Sequence, residues 1–266
     1  MTELVDAAAA NAAASAWHEA ITLLTRCVPG GYVRQGTAGT TLYFTAIPIP
    51  GINAVCVDPE PNLAEVAAFA TELSEHGLRW TIRVRGEVDA PLARLAARYG
   101  RTVTSTTPHN VWHAGSPAAV NPHRAVVREV AGAVKVREVP GEDAAMFAAT
   151  LAAGFGMPGE IAEIMCPPAL FEAPGVTGFV LDLQGEVVAT GLNVVVGDYV
   201  GMFHGTVPPQ HRGNGYYRTL VTARLAHAVA RGARHAFAHN TPMSWPLYES
   251  LGFRPVETWT HLGAAD

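Results

Sequence analysis

Apolar and polar positions alternate along this chain in two rhythms. Over residues 4–27, Trp17, Ile21 and Leu24 repeat at helical intervals until Pro29-Gly30-Gly31 halts the run, which predicts a first helix. Short β-forming runs at 40–47 and 53–57, joined by 48–51, predict two strands. Asn62 with Glu65 has the form of a capping box, opening a helix that carries Val66, Phe69 and Leu73 on one face and ends at Gly77. A strand at 78–84, a short helix at 89–99 closed by Gly100 and an extended segment at 102–112 complete the first half.

The second half predicts a strand at 133–139, a helix at 142–155, a loop-and-helix region at 157–172 and strands at 177–183 and 186–196 that meet at Gln184-Gly185. A third strand starts at Asp198. It leads into a turn, a helix at 216–231, a strand at 233–240, a short helix at 242–251 and a last extended run at 253–261. Strand, short helix and extended run close the first half in the same order, so that half reads as a degenerate copy of the second.

The turn at 207–217 reads Val-Pro-Pro-Gln-His-Arg-Gly-Asn-Gly-Tyr-Tyr. Gly213 and Gly215 permit a sharp bend in which successive N–H groups converge, and the helix behind adds free donors and the positive end of its dipole. Arg212 adds a full charge. Such a turn suits phosphate. A P-loop would need Gly-Lys-Ser/Thr where Gly215, Tyr216 and Tyr217 stand, and a dinucleotide fold would need Gly-x-Gly-x-x-Gly early in a parallel unit.

The pattern resembles the pyrophosphate loop of the GNAT superfamily (GCN5-related N-acetyltransferases), Gln/Arg-x-x-Gly-x-Gly/Ala. The register set by Val207 and Pro209 gives Arg212, Gly215 and Tyr217, the last in place of a small residue; a frame from Gln210 through Gly213 to Gly215 satisfies the letters in a shifted register. Downstream, residues 246–253 (Pro-Leu-Tyr-Glu-Ser-Leu-Gly-Phe) follow the family's Leu-Tyr-x-x-Leu-Gly-Phe ending. The resemblance runs from about residue 134 to the C-terminus.

It implies an α+β fold of two GNAT-like domains, each a twisted, mostly antiparallel mixed sheet flanked by helices. The halves would be 1–116 and 133–266, joined by a linker at 117–132. The second half would use acetyl-CoA as co-substrate for direct acyl transfer to an amine. Gly205, Thr206 and Val207 would pair with the pantetheine arm, and Arg212, Gly213, Asn214, Gly215, Tyr216 and Tyr217 would hold the pyrophosphate. Asn240 or Thr241 stands near the family's arm-contacting asparagine. Tyr248 would be the general acid, protonating the thiolate. Some relatives place a basic glutamate where Gly201 stands. His204 has a suitable pKa, although regular alternation would turn it to the opposite face; Asp198, Glu172 and a water relay are weaker alternatives. In the first half the corresponding turn, 57–62, lacks glycine and carries two carboxylates that would repel pyrophosphate, so that half should neither bind CoA nor catalyse.

Composition narrows the classes. With 266 residues, 49% hydrophobic and 15% charged, two domains with a sizeable core are expected. A net charge of −5 disfavours nucleic acid or an anionic membrane as principal partner and suits a cationic acceptor. Residues 1–20 have no signal-peptide pattern and no stretch approaches a membrane span. Cys27, Cys56 and Cys166 are odd in number and widely spaced, so a reducing cytoplasm is the simplest setting. No metal is expected: CxxC and HExxH are absent, and the pairs His109/His113 and His235/His239 lie in extended segments. The favoured acceptor is a small-molecule amine, with a protein lysine or N-terminus, or a non-catalytic acyl-CoA sensor, as alternatives. Whether two copies pair as a homodimer stays open.

Overall fold

Strand-forming runs from both halves join one sheet in a computed structural model that describes residues 7–115 and 134–265. The first half runs α1 (Ala7–Cys27), β1 (Tyr32–Gln35), β2 (Thr40–Phe44), β3 (Ala54–Val57), α2 (Leu63–Glu75), β4 (Thr81–Arg85), α3 (Ala90–Arg98) and β5 (Val103–His113). The second runs β6 (Val134–Val139), a 3-10 turn, α4 (Ala144–Phe155), α5 (Gly159–Met165), α6 (Pro168–Glu172), β7 (Val176–Leu183), β8 (Glu186–Val196), β9 (Tyr199–Thr206), α7 (Tyr216–Ala230), β10 (His235–His239), α8 (Trp245–Ser250) and β11 (Arg254–Gly263). The expected linker at 117–132 lies outside the described residues.

Two local expectations change. Strand β1 was not foreseen: it is a four-residue edge strand whose outer end is exposed, too short to show a period. The capping box at α2 is half formed. Asn62 accepts from the Ala64 N–H at 3.0 Å, but Glu65 turns away to accept from the N–H and hydroxyl of Thr37, anchoring the β1–β2 turn instead of the helix start.

The sheet order is β1-β2-β3-β4-β11-β5-β10-β9-β8-β7-β6. The halves therefore exchange their last strands. β11 of the second half lies between β4 and β5, and β5 of the first half lies between β11 and β10, all antiparallel. Arg85 of β4 fixes this seam by reaching Glu257 of β11 at 3.0 Å and Asp58 beyond β3 at 3.2 Å. The largest apolar cluster spans both halves, with Trp17 and Tyr43 from the first packed with Phe147, Leu192, Phe237 and Trp259 from the second. Each such side chain stabilises the joint core by roughly 1.5–3 kcal/mol. Among the described residues no helix is long and apolar enough to cross a membrane.

The halves differ at one place that matters. β3 pairs in parallel with β4 along its whole length, from Ala54↔Thr81 to Val57↔Val84. β9 pairs with β10 only from Tyr199↔His235 to Gly201↔Phe237. The first half is closed where the second half opens.

Candidate active site

Beyond Gly201 and Phe237 the two strands part, and the gap is a cavity of about 700 Å³. β9 supplies Phe203, His204, Gly205 and Thr206 to one wall, and β10 with the residues after it supplies His239, Asn240 and Thr241 to the other. On that side the main chain of β9 past Gly201 has no β10 partner, leaving a strand edge free to pair with an extended ligand. Gly201 itself has no room for a carboxylate, since any side chain there would enter the rings of Phe203 and Phe237.

His204 departs from the alternation expected of a strand. Between the pairs Leu192↔Phe203 and Thr190↔Thr206, Gly191 opposes both His204 and Gly205, a β-bulge with His204 at φ 48°. The bulge turns the imidazole into the cleft instead of away from it. Its Nδ1 lies 3.8 Å from the Cys166 sulfur. Desolvation, reinforced by the charge of Arg224, lowers its pKa to about 4, so it is neutral at pH 7. Burial pushes the Cys166 thiol up to about 12, which removes it as a nucleophile.

At the mouth of the cleft, Gly213 (φ 81°) and Gly215 (φ 80°) both adopt the left-handed conformation, and α7 begins at the next residue with no side-chain cap. The first-turn N–H groups of α7 are thus open to an anion. Gly213 and Gly215 are the two positions in the turn whose backbone calls for glycine, and Tyr217 lies in the first turn of the helix that follows. Arg212 is braced, its Nε donating to the Val207 carbonyl at 3.0 Å and an Nη to the Gly154 carbonyl at 2.8 Å. Asn214 donates back to the carbonyls of His211 and Arg212, so its side chain stiffens the turn and does not line the cleft. Val207 and Tyr216 do line it.

Tyr248, on α8, is 2% exposed and shares a hydrogen bond of 3.1 Å with Tyr217. Burial, then the neighbouring Tyr217, raises its pKa well above 10, with Arg224 opposing. Tyr248 is therefore held as a neutral phenol. Arg224 is wholly buried, donating from Nε to Asn193 at 3.0 Å and from one Nη to the Leu192 and Phe203 carbonyls, and its charge acts on both phenols. Across the gap Asn240 accepts from Asn110 at 3.0 Å, and Thr241 caps the turn into α8 through the Ser244 N–H.

All predicted site residues except Asn214 line this one cavity. Two that the sequence did not single out join them. Trp17 reaches in from α1 of the first half, and its ring stacks on His239 at 5.7 Å. The β5–β10 register sets His239 opposite His109, with His109 Nδ1 and His239 Nε2 2.8 Å apart, and likewise His235 opposite His113, with their Nδ1 atoms 2.7 Å apart. His239 is neutral, its pKa lowered by burial and then by His109. Neither contact had a local signal, because both depend on strands exchanged between halves. Among the described residues no carboxylate lines the cleft and no group of three or more potential metal ligands occurs.

Residues 150–253 match the model of the Acetyltransferase (GNAT) family. The chain contains a GNAT domain. Solved structures of similar fold include a GCN5-related N-acetyltransferase from Kribbella flavida, with TM-score 0.62 and 18% identity over 95% of this chain and 94% of that one. A tandem GNAT protein from the clavulanic acid biosynthesis pathway gives TM-score 0.56 and 16% identity over 90% of this chain and 85% of that one. A conserved protein of unknown function from Staphylococcus epidermidis gives TM-score 0.59 at 9% identity, over 88% and 94%. No match was found among curated protein sequences. The GNAT domain takes in the bulge, the glycine turn and Tyr248, whereas Trp17 and the paired strand β5 come from outside it.

Proposed function

We propose that the chain is an acetyl-CoA-dependent N-acetyltransferase that transfers directly, in a ternary complex, to the primary amine of a small molecule. The observation that carries this is the parting of β9 from β10, which connects an anion-ready turn at one end to a buried neutral phenol at the other. The main chain of Gly205, Thr206 and Val207 would hold an extended pantetheine arm, and the turn from Arg212 to Tyr217 the pyrophosphate. An amine nitrogen then attacks the thioester carbonyl, the tetrahedral intermediate collapses, and Tyr248 gives its proton to the departing thiolate. His204 and His239 are the imidazoles lining the gap, but burial lowers the pKa of both, that of His204 to about 4, so they are weak bases and the proton lost by the amine would pass to water. Trp17 and the first half wall the acceptor side, which favours a small acceptor over a peptide.

The test is thiol release from acetyl-CoA against a panel of amino acids, polyamines, aminoglycosides and a lysine peptide, with Tyr248→Phe as control. Acceptor-dependent release that collapses in the variant supports the reading. Acetyl-CoA binding with no turnover of any acceptor would favour the sensor, and turnover of the lysine peptide alone would favour a protein acetyltransferase.

A further inference from the structure

A second cavity, of about 250 Å³, opens beside the cleft and shares Trp17, Phe203 and His204 with it. Its other walls come from both halves: Ile21 and Leu24 of α1, Tyr43 of β2, and Met165 of α5. These walls are largely hydrocarbon. Arg83 of β4 is the one permanently charged side chain lining it. The guanidinium sits over the Trp17 ring at 4.8 Å, donates from one Nη to the Gly51 carbonyl at 2.8 Å and from Nε to His261 at 3.3 Å. All of these partners are neutral: burial and the charge of Arg83 lower the His261 pKa to about 4. The neighbouring carboxylates, Asp58 and Glu257, are both taken by Arg85. Among the described residues Arg83 makes no ion pair with a carboxylate, and the thiol of Cys56, its remaining side-chain hydrogen-bond partner, is held neutral by burial, which raises its pKa to about 11. A cation so placed, in an apolar pocket and short of a counter-charge, is a receptor for a planar anion.

We propose that this cavity is the acceptor subsite, and that it selects an amine carried on an apolar body that ends in a carboxylate, the carboxylate pairing with Arg83. The inference rests on the acetyltransferase reading of the adjoining cleft. It reverses the expectation drawn from net charge. Although the chain totals −5, no carboxylate lines either cavity and the acceptor cavity carries Arg83, so the local field there favours an anionic acceptor over a polycation.

The test compares matched probes. Phenylacetate and its uncharged twin phenylacetamide are titrated against the full chain by calorimetry, together with acetyl-CoA. L-phenylalanine and 5-aminopentanoate are compared as acceptors with L-phenylalaninamide and pentylamine. The wild-type protein is expected to prefer each carboxylate by about 10- to 100-fold, the weight of a hydrogen-bonded charge pair. Arg83→Met should abolish that preference while acetyl-CoA binding is retained, and Arg83→Lys should restore part of it. Equal binding of acid and amide by the wild type overturns this inference without any variant, as does a preference that survives Arg83→Met. Failure to bind acetyl-CoA would instead overturn the acetyltransferase reading.

Discussion

The phenol oxygens of Tyr217 and Tyr248 lie 3.1 Å apart, with their rings 6.2 Å apart and tilted by 52°. One comes from the first turn of the helix behind the glycine turn and the other from the Leu-Tyr-x-x-Leu-Gly-Phe segment, so the two motifs meet at a single hydrogen bond. If Tyr248 delivers the proton to the thiolate, Tyr248→Phe should lower kcat about 10²- to 10⁴-fold with little change in the KM for acetyl-CoA. Tyr217→Phe should cost less. Because burial and then Tyr217 raise the Tyr248 pKa, removing Tyr217 should also move the alkaline limb of the kcat profile to lower pH. An unchanged limb would show that the pair is not coupled.

Gly205 is glycine because the Tyr217 phenol occupies the space of its missing side chain. Gly205→Ala should therefore push that ring off Tyr248 and reproduce the Tyr217→Phe defect. In a double variant with Tyr217→Phe the two losses in kcat should not add, since both act by breaking one contact. Steady-state kinetics on the four proteins decides it, and fully additive losses would count against the shared contact.

Several histidines are held uncharged by burial, with pKa values of about 3 for His109 and about 4 for His18, His204 and His261. In the unfolded chain the same groups protonate near 6.5. Between these values the unfolded state binds more protons, so stability is present above about pH 6.5 and is lost as pH falls toward 4. His109, fully buried, should alone contribute a slope of about 1.4 kcal/mol per pH unit, the half-buried ones less. Urea unfolding at pH 7, 6 and 5 should give falling midpoints, with a shallower fall in His109→Gln. Constant midpoints would refute it.

What was legible in the sequence is what a local pattern can encode. The glycines at 213 and 215 and Tyr248 could be read because each belongs to a short motif with a physical demand: left-handed backbone, or a phenol on a short helix. The helices could be read from their apolar faces. His204 was visible as a residue but not as a direction, because the bulge that turns it depends on Gly191 across the ladder. Trp17 read as an ordinary core position of α1; its place in the cleft comes from packing against the other half. Arg83 gave no signal at all, as its want of a counter-ion follows only from Arg85 claiming both nearby carboxylates. The partner of β10 was equally hidden, since alternation sets which face a strand buries and not which strand lies beside it.

That hidden pairing makes the last prediction. β5 hydrogen-bonds β10 from His109↔His239 to His113↔His235 and β11 from Val103↔Gly263 to Val111↔Arg254, so it is bound on both edges by the other half. A second half expressed without β5 would expose the edge of β10 and leave β11 without either neighbour, and unpaired edges of this kind aggregate. Residues 134–266 alone should be insoluble or unfolded. Co-expressed with residues 1–115 as a separate chain, they should assemble into a complex that elutes at the size of the intact protein and binds acetyl-CoA like it. Purified 134–266 that is monomeric, cooperatively folded and competent to bind acetyl-CoA would show instead that the exchanged strand is dispensable for the cleft.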